Sequence, residues 1–488
     1  MAKCTAVIDI GSNSMRLAVF QKTSRFAFHI IHEVKSSVRL AQNAYTQNGI
    51  LQEEAMDRAS KAIGEFLLVA ASFKARKILC VATSALRDAP NKSLFIQRIK
   101  KEHLLSINVI DGDKEAYFGG VACANLLPKM DAIGVDLGGG STEFVLLSQG
   151  NILKTISLNI GTVRLKELFM DKEDIQGAID YIDNALQKLP FETTDTLIGI
   201  GGSFRALCDG MMKQESYPLK KLHAYTCESK RFQLFCDTIL DASPKKLKNL
   251  GIKHDRFDTI KSGALIFLRI VQRLAPNSLT CSGAGIREGI FLSDMLRNSG
   301  HKFPANYNPS LRFLLDTHVI HSNHGLQCAA IAKKLFDLTH KHLELETSLK
   351  TQLVMAAKLL PSGLGIRYFA YQKHSFHLAM SGLDYGLTHK EIILIAHLLL
   401  YKKGEESSDL VPKDSYEKLL PEKKKLNALH SLLWLSHTLL TSRAHLDTFS
   451  FSFDNGILTI NSPHLYLAQE QLQTFVLPKN LSLLLIHP

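Results

Sequence analysis

One pattern occurs twice in the first 150 residues: VIDIGSNSMRLAVF at 7–20 and VDLGGGSTEFVLL at 135–147. In each copy an apolar run reaches an Asp, a short Gly/Ser turn follows, and a second apolar run of alternating character begins. Asp9 matches Asp136, Gly11 matches Gly138 and Ser14 matches Ser141. A duplicated strand–turn–strand unit predicts two similar subdomains facing each other across a cleft. The turn residues indicate what that cleft would hold. Gly and Ser directly after a strand let backbone N–H groups converge on an anion without obstruction by Cβ, and add hydroxyl donors. An Asp just ahead of the turn suits Mg²⁺, which takes hard oxygen ligands and keeps several waters. A lone Asp-x-Gly is an ordinary β-turn, whereas two matched copies point to a metal–phosphate site between lobes.

Strand-like runs and helical periods alternate through the first three hundred residues, the signature of an α/β architecture. From about 310 to 440 the apolar spacing is helical, as in HGLQCAAIAKKLFDLTHKHL. FSFSFDNGILTI then predicts a hairpin around Asn455-Gly456, followed by a helix opening at Ser462-Pro463 and a last strand, LSLLLI, which together make a ββαβ unit. Gly, Pro and Asn interrupt the pattern at 297–310, and a weaker break lies at 401–414. These two breaks, together with the two subdomains that the repeat predicts, give four expected domains for the 488 residues, at 1–125, 126–300, 305–400 and 401–488.

The N-terminal apolar stretch contains Asp9 and lacks a small-residue cleavage site, so it reads as a strand and not as a signal peptide. The apolar run at 426–440 carries His430, Ser431, Ser436 and His437 and falls short of the roughly 20 residues a spanning helix needs. The expectation is a cytoplasmic chain with no membrane partner. The eight cysteines form no C-x-x-C pair and are expected to be buried thiols. A formal charge of +12 favours acidic ligands. The basic stretches at 243–256 and 422–427 hold almost no interleaved aromatics, which argues against a nucleic-acid partner.

Six segments carry a more specific signal: DIGSNSMRL (9–17), ATSALRDA (82–89), INVIDGDKEAYFGG (107–120), DLGGGSTE (136–143), IGIGGSFRAL (198–207) and SGAGIREG (282–289). In this order they resemble the phosphate loops of the actin, sugar-kinase and heat-shock-chaperone ATPase superfamily. More narrowly, they resemble the exopolyphosphatase and guanosine pentaphosphate phosphohydrolase (Ppx/GppA) family. The resemblance implies two actin-like (ribonuclease-H-like) ATPase subdomains, at 1–125 and 126–300. A helical HD-like domain and a small C-terminal α+β unit would follow. It implies a hydrolase that releases the terminal phosphate of inorganic polyphosphate, of guanosine pentaphosphate, or of both, with Mg²⁺ or another divalent cation as cofactor. The oligomeric state stays open, a homodimer included.

By the same resemblance, Asp9, Asp136 and Glu143 would hold the metal. Ser12, Asn13, Ser14 and Arg16, with Gly138, Gly139, Gly140 and Ser141, would hold phosphates, and Arg87 would bind the terminal one. A guanidinium suits that role because it pairs bidentately with phosphate and stays charged. Glu115 and Glu143 would be the catalytic carboxylates, placing and activating the attacking water. The family supplies such a glutamate from an adjacent pair, and here the first of the pair is Lys114. Read without the family, Glu115 is helix-dipole complementarity at a first turn and Glu143 a solvent-facing strand residue. Gly201, Gly202 and Ser203 join a strand to a helix, where they either approach further phosphates or a nucleoside, or simply pack tightly. Arg287 and Glu288 leave the same choice open, as site residues or as an internal ion pair.

The metal-binding dyad of an HD domain would fall after AAKL, where this chain has Leu360-Pro361, leaving His324, His374, His377 and His397 scattered. No second metal centre is expected there, and the Lys-rich segments suggest substrate handling. Two other readings remain at this stage: an ATP-dependent sugar kinase with the same loops, and a non-catalytic sensor of guanosine tetra- or pentaphosphate.

Overall fold

The computed structural model describes residues 3–320, 322–401, 405, 410 and 416–487. The chain divides into two units, Met1–Tyr307 and Asn308–Pro488. The break expected at 297–310 contains this division. Most of the break expected at 401–414 lies outside the described residues.

The first unit is built on two sheets. One contains β1 (Cys4–Ile10), β2 (Met15–Lys22), β3 (Phe28–Ser36), β4 (Lys77–Ala82) and β5 (Asn108–Val109), in the order β3-β2-β1-β4-β5. The other contains β6 (Ala132–Leu137), β7 (Thr142–Ser148), β8 (Asn151–Leu158), β9 (Thr196–Ile200), β10 (Thr226–Glu228) and β11 (Ser278–Cys281), in the order β10-β11-β9-β6-β7-β8. Read from its β8 edge, the second sheet repeats the first and adds one edge strand. Each has two antiparallel pairings followed by a parallel crossover from its first strand, β1 to β4 and β6 to β9. The correspondence extends to a register shift, between Val19 and Phe20 in one copy and Leu146 and Leu147 in the other. This is the same offset that relates Asp9 to Asp136. β1 and β6 are buried on both faces because helices cover the sheets, which explains their continuous apolar runs. Ile8, Leu17, Phe66 and Phe95 centre one core, and Phe144, Phe204, Phe232 and Phe267 the other.

Helix Gly112–Leu126 straddles the join expected at 125/126, yet it packs on β7 and β8, so the second lobe begins before this helix. Helix Ile286–Met295 lies against it and reaches back to β1. There Phe291 stacks on Phe20 at 4.3 Å and tilts against Phe28 at 5.0 Å.

The second unit holds helices Pro309–His318, Ser322–Thr339, Leu349–Leu359, Tyr371–Gly382, His389–Leu398 and Lys423–Leu439. A three-stranded sheet follows, ordered β12 (Ser450–Asp454), β13 (Ile457–Asn461), β14 (Ser482–Ile486). The hairpin turns at Asn455 and Gly456, both with positive φ, as expected. The helix after it starts at Tyr466 and not at Ser462-Pro463, because Ser462 still donates its N–H to Ile486 and its hydroxyl accepts from His464 N. The segments 305–400 and 401–488, expected as separate domains, share one core in which Leu432, Leu458, Ile460 and Leu481 join Leu335 and Phe336. Leu360 and Pro361 are buried at the start of a 3₁₀ turn, Leu360–Gly365. His324 Nε2 lies 3.0 Å from His437 Nδ1, an imidazole partner where a metal dyad would need a carboxylate. All eight cysteines are buried and free. Among the described residues no helix is long and apolar enough to cross a membrane.

Candidate active site

The duplicated hairpins bring their turns together. A Cβ on Gly11 would lie 3.0 Å from the Ser14 carbonyl oxygen, and one on Gly138 would lie 3.0 Å from that of Ser141. Both turns therefore close in the same way and leave little room for a side chain at their first position. The turns also meet each other, since a Cβ on Gly139 would fall 2.9 Å from Ser12 Cβ. The carbonyls of Gly138 and Gly139 accept from the N–H groups of Thr162 and Val163 at 3.1 and 2.8 Å. Tying the carbonyls to this segment fixes the peptide planes of the second turn. Ser12 and Ser84, from the first turn and the β4 motif, share a hydroxyl–hydroxyl bond of 3.0 Å.

Four carboxylates gather around this cleft. Asp9 pairs in register with Arg16, and Asp136 with Glu143. Burial pushes Asp9 up to about 6, against the pull of Arg287 and Arg16. Burial likewise pushes Asp136 up to about 6, against Arg205. Glu143 is only 2% exposed, not the solvent-facing strand residue of the plain reading, and burial lifts it to about 7. It accepts a hydrogen bond from Ser157 Oγ at 2.8 Å. Glu115 stands on the first turn of helix Gly112–Leu126, whose cap is Asp111 Oδ1 accepting from Lys114 N at 2.7 Å. Burial and then the Glu143 carboxylate raise Glu115 well above the ordinary range, although Arg87 opposes them. Arg87 Nη1 donates to Glu115 Oε2 at 2.8 Å, and its Nη2 reaches Ser141 Oγ at 3.4 Å. Burial works against the Arg87 charge, but Glu115, Glu143 and Asp88 together more than offset it.

The cleft is lined by Asp9, Ser12, Asn13, Ser14, Arg16, Glu115, Asp136, Gly138, Gly139, Glu143, Gly201, Gly202 and Ser203. Arg87 bonds Glu115 and Ser141, and a Cβ on Gly140 would lie 3.1 Å from Ser12 Oγ, so every sequence-selected residue belongs to one neighbourhood. Gly201 also packs tightly: it has φ +92, and a Cβ there would lie 2.9 Å from Asp136 Oδ1. Glycines at 119 and 285 leave further space beside the same carboxylate. The acidic donors here are all carboxylate oxygens, as a hard cation requires. Among the described residues no three His, Cys, Asp or Glu side chains stand together closely enough to hold a metal ion, so Asp9, Asp136 and Glu143 do not form a three-carboxylate site.

A basic wall faces the carboxylates, and two of its four members, Arg205 and Arg256, went unread in the sequence. Arg205 and Arg256 line the cleft together with Arg16 and Arg287. Arg256 ends the basic stretch at 243–256, and only that spacing hinted at it. Burial and then Arg287 and Arg205 push Arg16 down to about 10. Arg287 and Glu288 do not form the simple pair considered above. Arg287 Nη1 bonds Glu33 Oε1 at 2.7 Å, while Glu288 Oε2 accepts from Gly285 N at 2.7 Å. Glu33 also takes Arg16 Nη1, at 3.2 Å.

Comparison with known proteins gives a consistent set of relatives. A model of the Ppx/GppA phosphatase family matches residues 18–298, and one of Ppx/GppA phosphatase, domain III, matches residues 309–480. A bifunctional 3-dehydroquinate synthase/phosphatase of Fusobacterium nucleatum is 34% identical over 290 residues, which are 54% of this chain and 43% of that protein. This chain thus spans less than half the length of that relative. A guanosine-5'-triphosphate,3'-diphosphate pyrophosphatase of Photobacterium profundum is 26% identical over 486 residues, 95% of this chain and 92% of that one. The crystal structure of the Aquifex aeolicus Ppx/GppA family member superposes with a TM-score of 0.53 at 29% identity, covering 61% of this chain and 99% of that one. A Cytophaga hutchinsonii exopolyphosphatase gives 0.54 at 26% identity, covering 60% and 98%.

Proposed function

The chain belongs to the Ppx/GppA phosphatase family, and from that premise we propose that it hydrolyses the terminal phosphoanhydride of inorganic polyphosphate, of guanosine pentaphosphate, or of both. The observation that carries this reading is the Arg87–Glu115 pair, set against Ser141 of one phosphate turn with buried Glu143 beside it. Asp9 and Asp136, one from each hairpin and electrostatically coupled to each other, are the residues that would hold Mg²⁺, with water and substrate oxygens completing its shell and Glu143 beside Asp136. When bound, the ion would neutralise charge on the phosphate oxygens.

The substrate chain enters along the basic wall, and its terminal phosphate settles between the two turns. Arg87 then exchanges the Glu115 carboxylate for a phosphate oxygen, which frees Glu115 next to the reacting phosphorus. A water attacks that phosphorus and gives its proton to Glu115. The bridging P–O bond breaks, and its electron pair leaves with the shortened chain. The products are one inorganic phosphate and a chain one unit shorter, or guanosine tetraphosphate from the pentaphosphate. Ser12, Asn13, Ser14 and the turn at 138–141 hold the terminal phosphate in line. Four arginines along one wall support a polyanionic substrate without choosing between the two.

Phosphate release from long-chain polyphosphate and from guanosine pentaphosphate, measured side by side with Mg²⁺ and then with EDTA, tests the proposal. Release from at least one, abolished by EDTA, is expected. Release from neither would overturn the assignment.

A further inference from the structure

The segment that fixes the second turn, residues 160–164, does more than donate backbone N–H groups to its carbonyls. Arg164 stands on helix Thr162–Leu168 of the second lobe, with a mostly buried side chain, 16% exposed. Its Nε donates to the Gly140 carbonyl of the second turn at 2.8 Å, and its Nη2 donates to Asp88 Oδ2 of the first lobe at 3.1 Å. Asp88 Oδ1 in turn lies 3.4 Å from Arg87 Nε. The Arg164 guanidinium also lies 4.4 Å over the ring of Tyr45, another first-lobe residue. One turn further along, Glu167 accepts the backbone N–H groups of Asn43 and Tyr45 at 2.7 and 3.2 Å.

We propose that Arg164 is a positioning residue that holds the second phosphate turn and Arg87 in one alignment across the cleft. The planar guanidinium allows this, because one donor edge binds the turn while another donor binds the carboxylate that steadies Arg87. When Arg87 leaves Glu115 for a phosphate, Asp88 remains anchored by Arg164 and sets the pivot about which Arg87 moves. A Lys could supply the charge but not both bonds at their separate angles. The role rests on the hydrolytic reading above. Arg164 touches neither substrate nor the reacting atoms, so its effect belongs in turnover more than in affinity.

The test uses the full chain with Arg164→Ala, Arg164→Lys, Asp88→Ala and the double alanine variant, assayed on tripolyphosphate with Mg²⁺. Arg164→Ala should lower kcat roughly 10–100-fold, the scale of a small misplacement of a catalytic group, while KM moves by less than about threefold. Millimolar guanidinium should restore part of that kcat. Asp88→Ala should add little to Arg164→Ala, because both break the same chain of contacts. Arg164→Lys should fall well short of the unmodified protein, and it serves as the test variant if the alanine form does not fold. Amide hydrogen exchange should quicken at 138–141 and also at 84–88 in the opposite lobe. A kcat within about twofold of the unmodified protein, or a loss without guanidinium rescue that adds to that of Asp88→Ala, would overturn the proposal. If the unmodified chain cleaves no anhydride, the functional reading fails, but the exchange data still decide. Faster exchange at 84–88 supports the alignment, and unchanged exchange there overturns it.

Discussion

Burial strips hydration from a carboxylate's charged form, and the cleft does this to Asp9, Asp136, Glu143 and Glu115 together. Glu115 combines that environment with contact to Arg87. Glu115→Gln is nearly isosteric and removes the proton acceptor without opening a cavity, so phosphate release should fall roughly 10²–10⁴-fold while substrate still binds. Near-normal turnover would take Glu115 out of the mechanism. The raised carboxylates also make a stability prediction. Asp9 and Asp136 rise from 3.8 to about 6, and Glu143 from 4.5 to about 7. The folded protein therefore holds more protons than the unfolded chain through this window. Their contribution to stability is complete below about 4 and is lost as pH rises through about 7. Without divalent cation, thermal unfolding should show Glu143→Gln more stable than the unmodified protein at pH 8, by roughly 1–3 kcal/mol, with the difference vanishing near pH 4. A constant difference across that range would contradict the burial argument. Asp9 and Asp136 are legible in the sequence because each stands just ahead of a duplicated Gly/Ser turn, whereas Glu115 and Glu143 stand out only through the family resemblance. Arg205 and Arg256 are not legible, because a lone Arg carries no sign in the sequence of what it faces in the fold.

At the scale of elements, the two hairpins share strand order, turn closure and bulge, and they differ where chemistry needs them to. Arg16 and Glu143 occupy the same register position, opposite Asp9 and Asp136 respectively. One copy thus presents a cation and the other a carboxylate to the same cleft. The hairpins themselves are legible because strand period and turn chemistry are local. What covers them is not, since a buried helical stripe in the sequence does not say which sheet it faces. That is why helix Gly112–Leu126 belongs with the second sheet although the expected boundary fell at its end. It meets helix Ile286–Met295 backbone to backbone at Gly289, where a Cβ would be driven into the Phe118 carbonyl oxygen. No side-chain rotation relieves that collision, so Gly289→Ala should cost roughly 2–4 kcal/mol in chemical denaturation, at or above the usual scale for overpacking. Because Phe118 lies three residues after Glu115, activity should fall further than the folded fraction does. A destabilisation under about 0.5 kcal/mol would show that the helices do not meet this closely.

The whole molecule divides its charge unevenly. Residues 308–488 carry 18 Lys and Arg against 15 Asp and Glu, leaving 40 against 31 in residues 1–307. Within the basic stretch at 422–427, Lys424 pairs with Glu344 at 2.8 Å and Lys425 pairs with Glu346. The substrate-handling role expected of those lysines is therefore weakened, because half-neutralised charges attract a polyanion less. The sequence shows where Lys residues cluster but not which carboxylates, about 80 residues away, come to meet them. The same blindness to distant contacts hides the shared core that joins the helices of the second unit to its closing sheet. All the candidate site residues and most of the excess positive charge lie in the first unit, which has its own cores. A protein ending at Tyr307 should consequently keep its response to substrate, once solubility and helical content are checked. Tripolyphosphate with Mg²⁺ should raise its melting temperature, by mass action on the folded state, and that shift should shrink as salt rises from 50 to 500 mM. Residues 308–488 alone should show no such shift at the same concentrations. Stabilisation of this second fragment, or none of the first, would move the anion-binding surface to the C-terminal unit and restore the role its lysines first suggested.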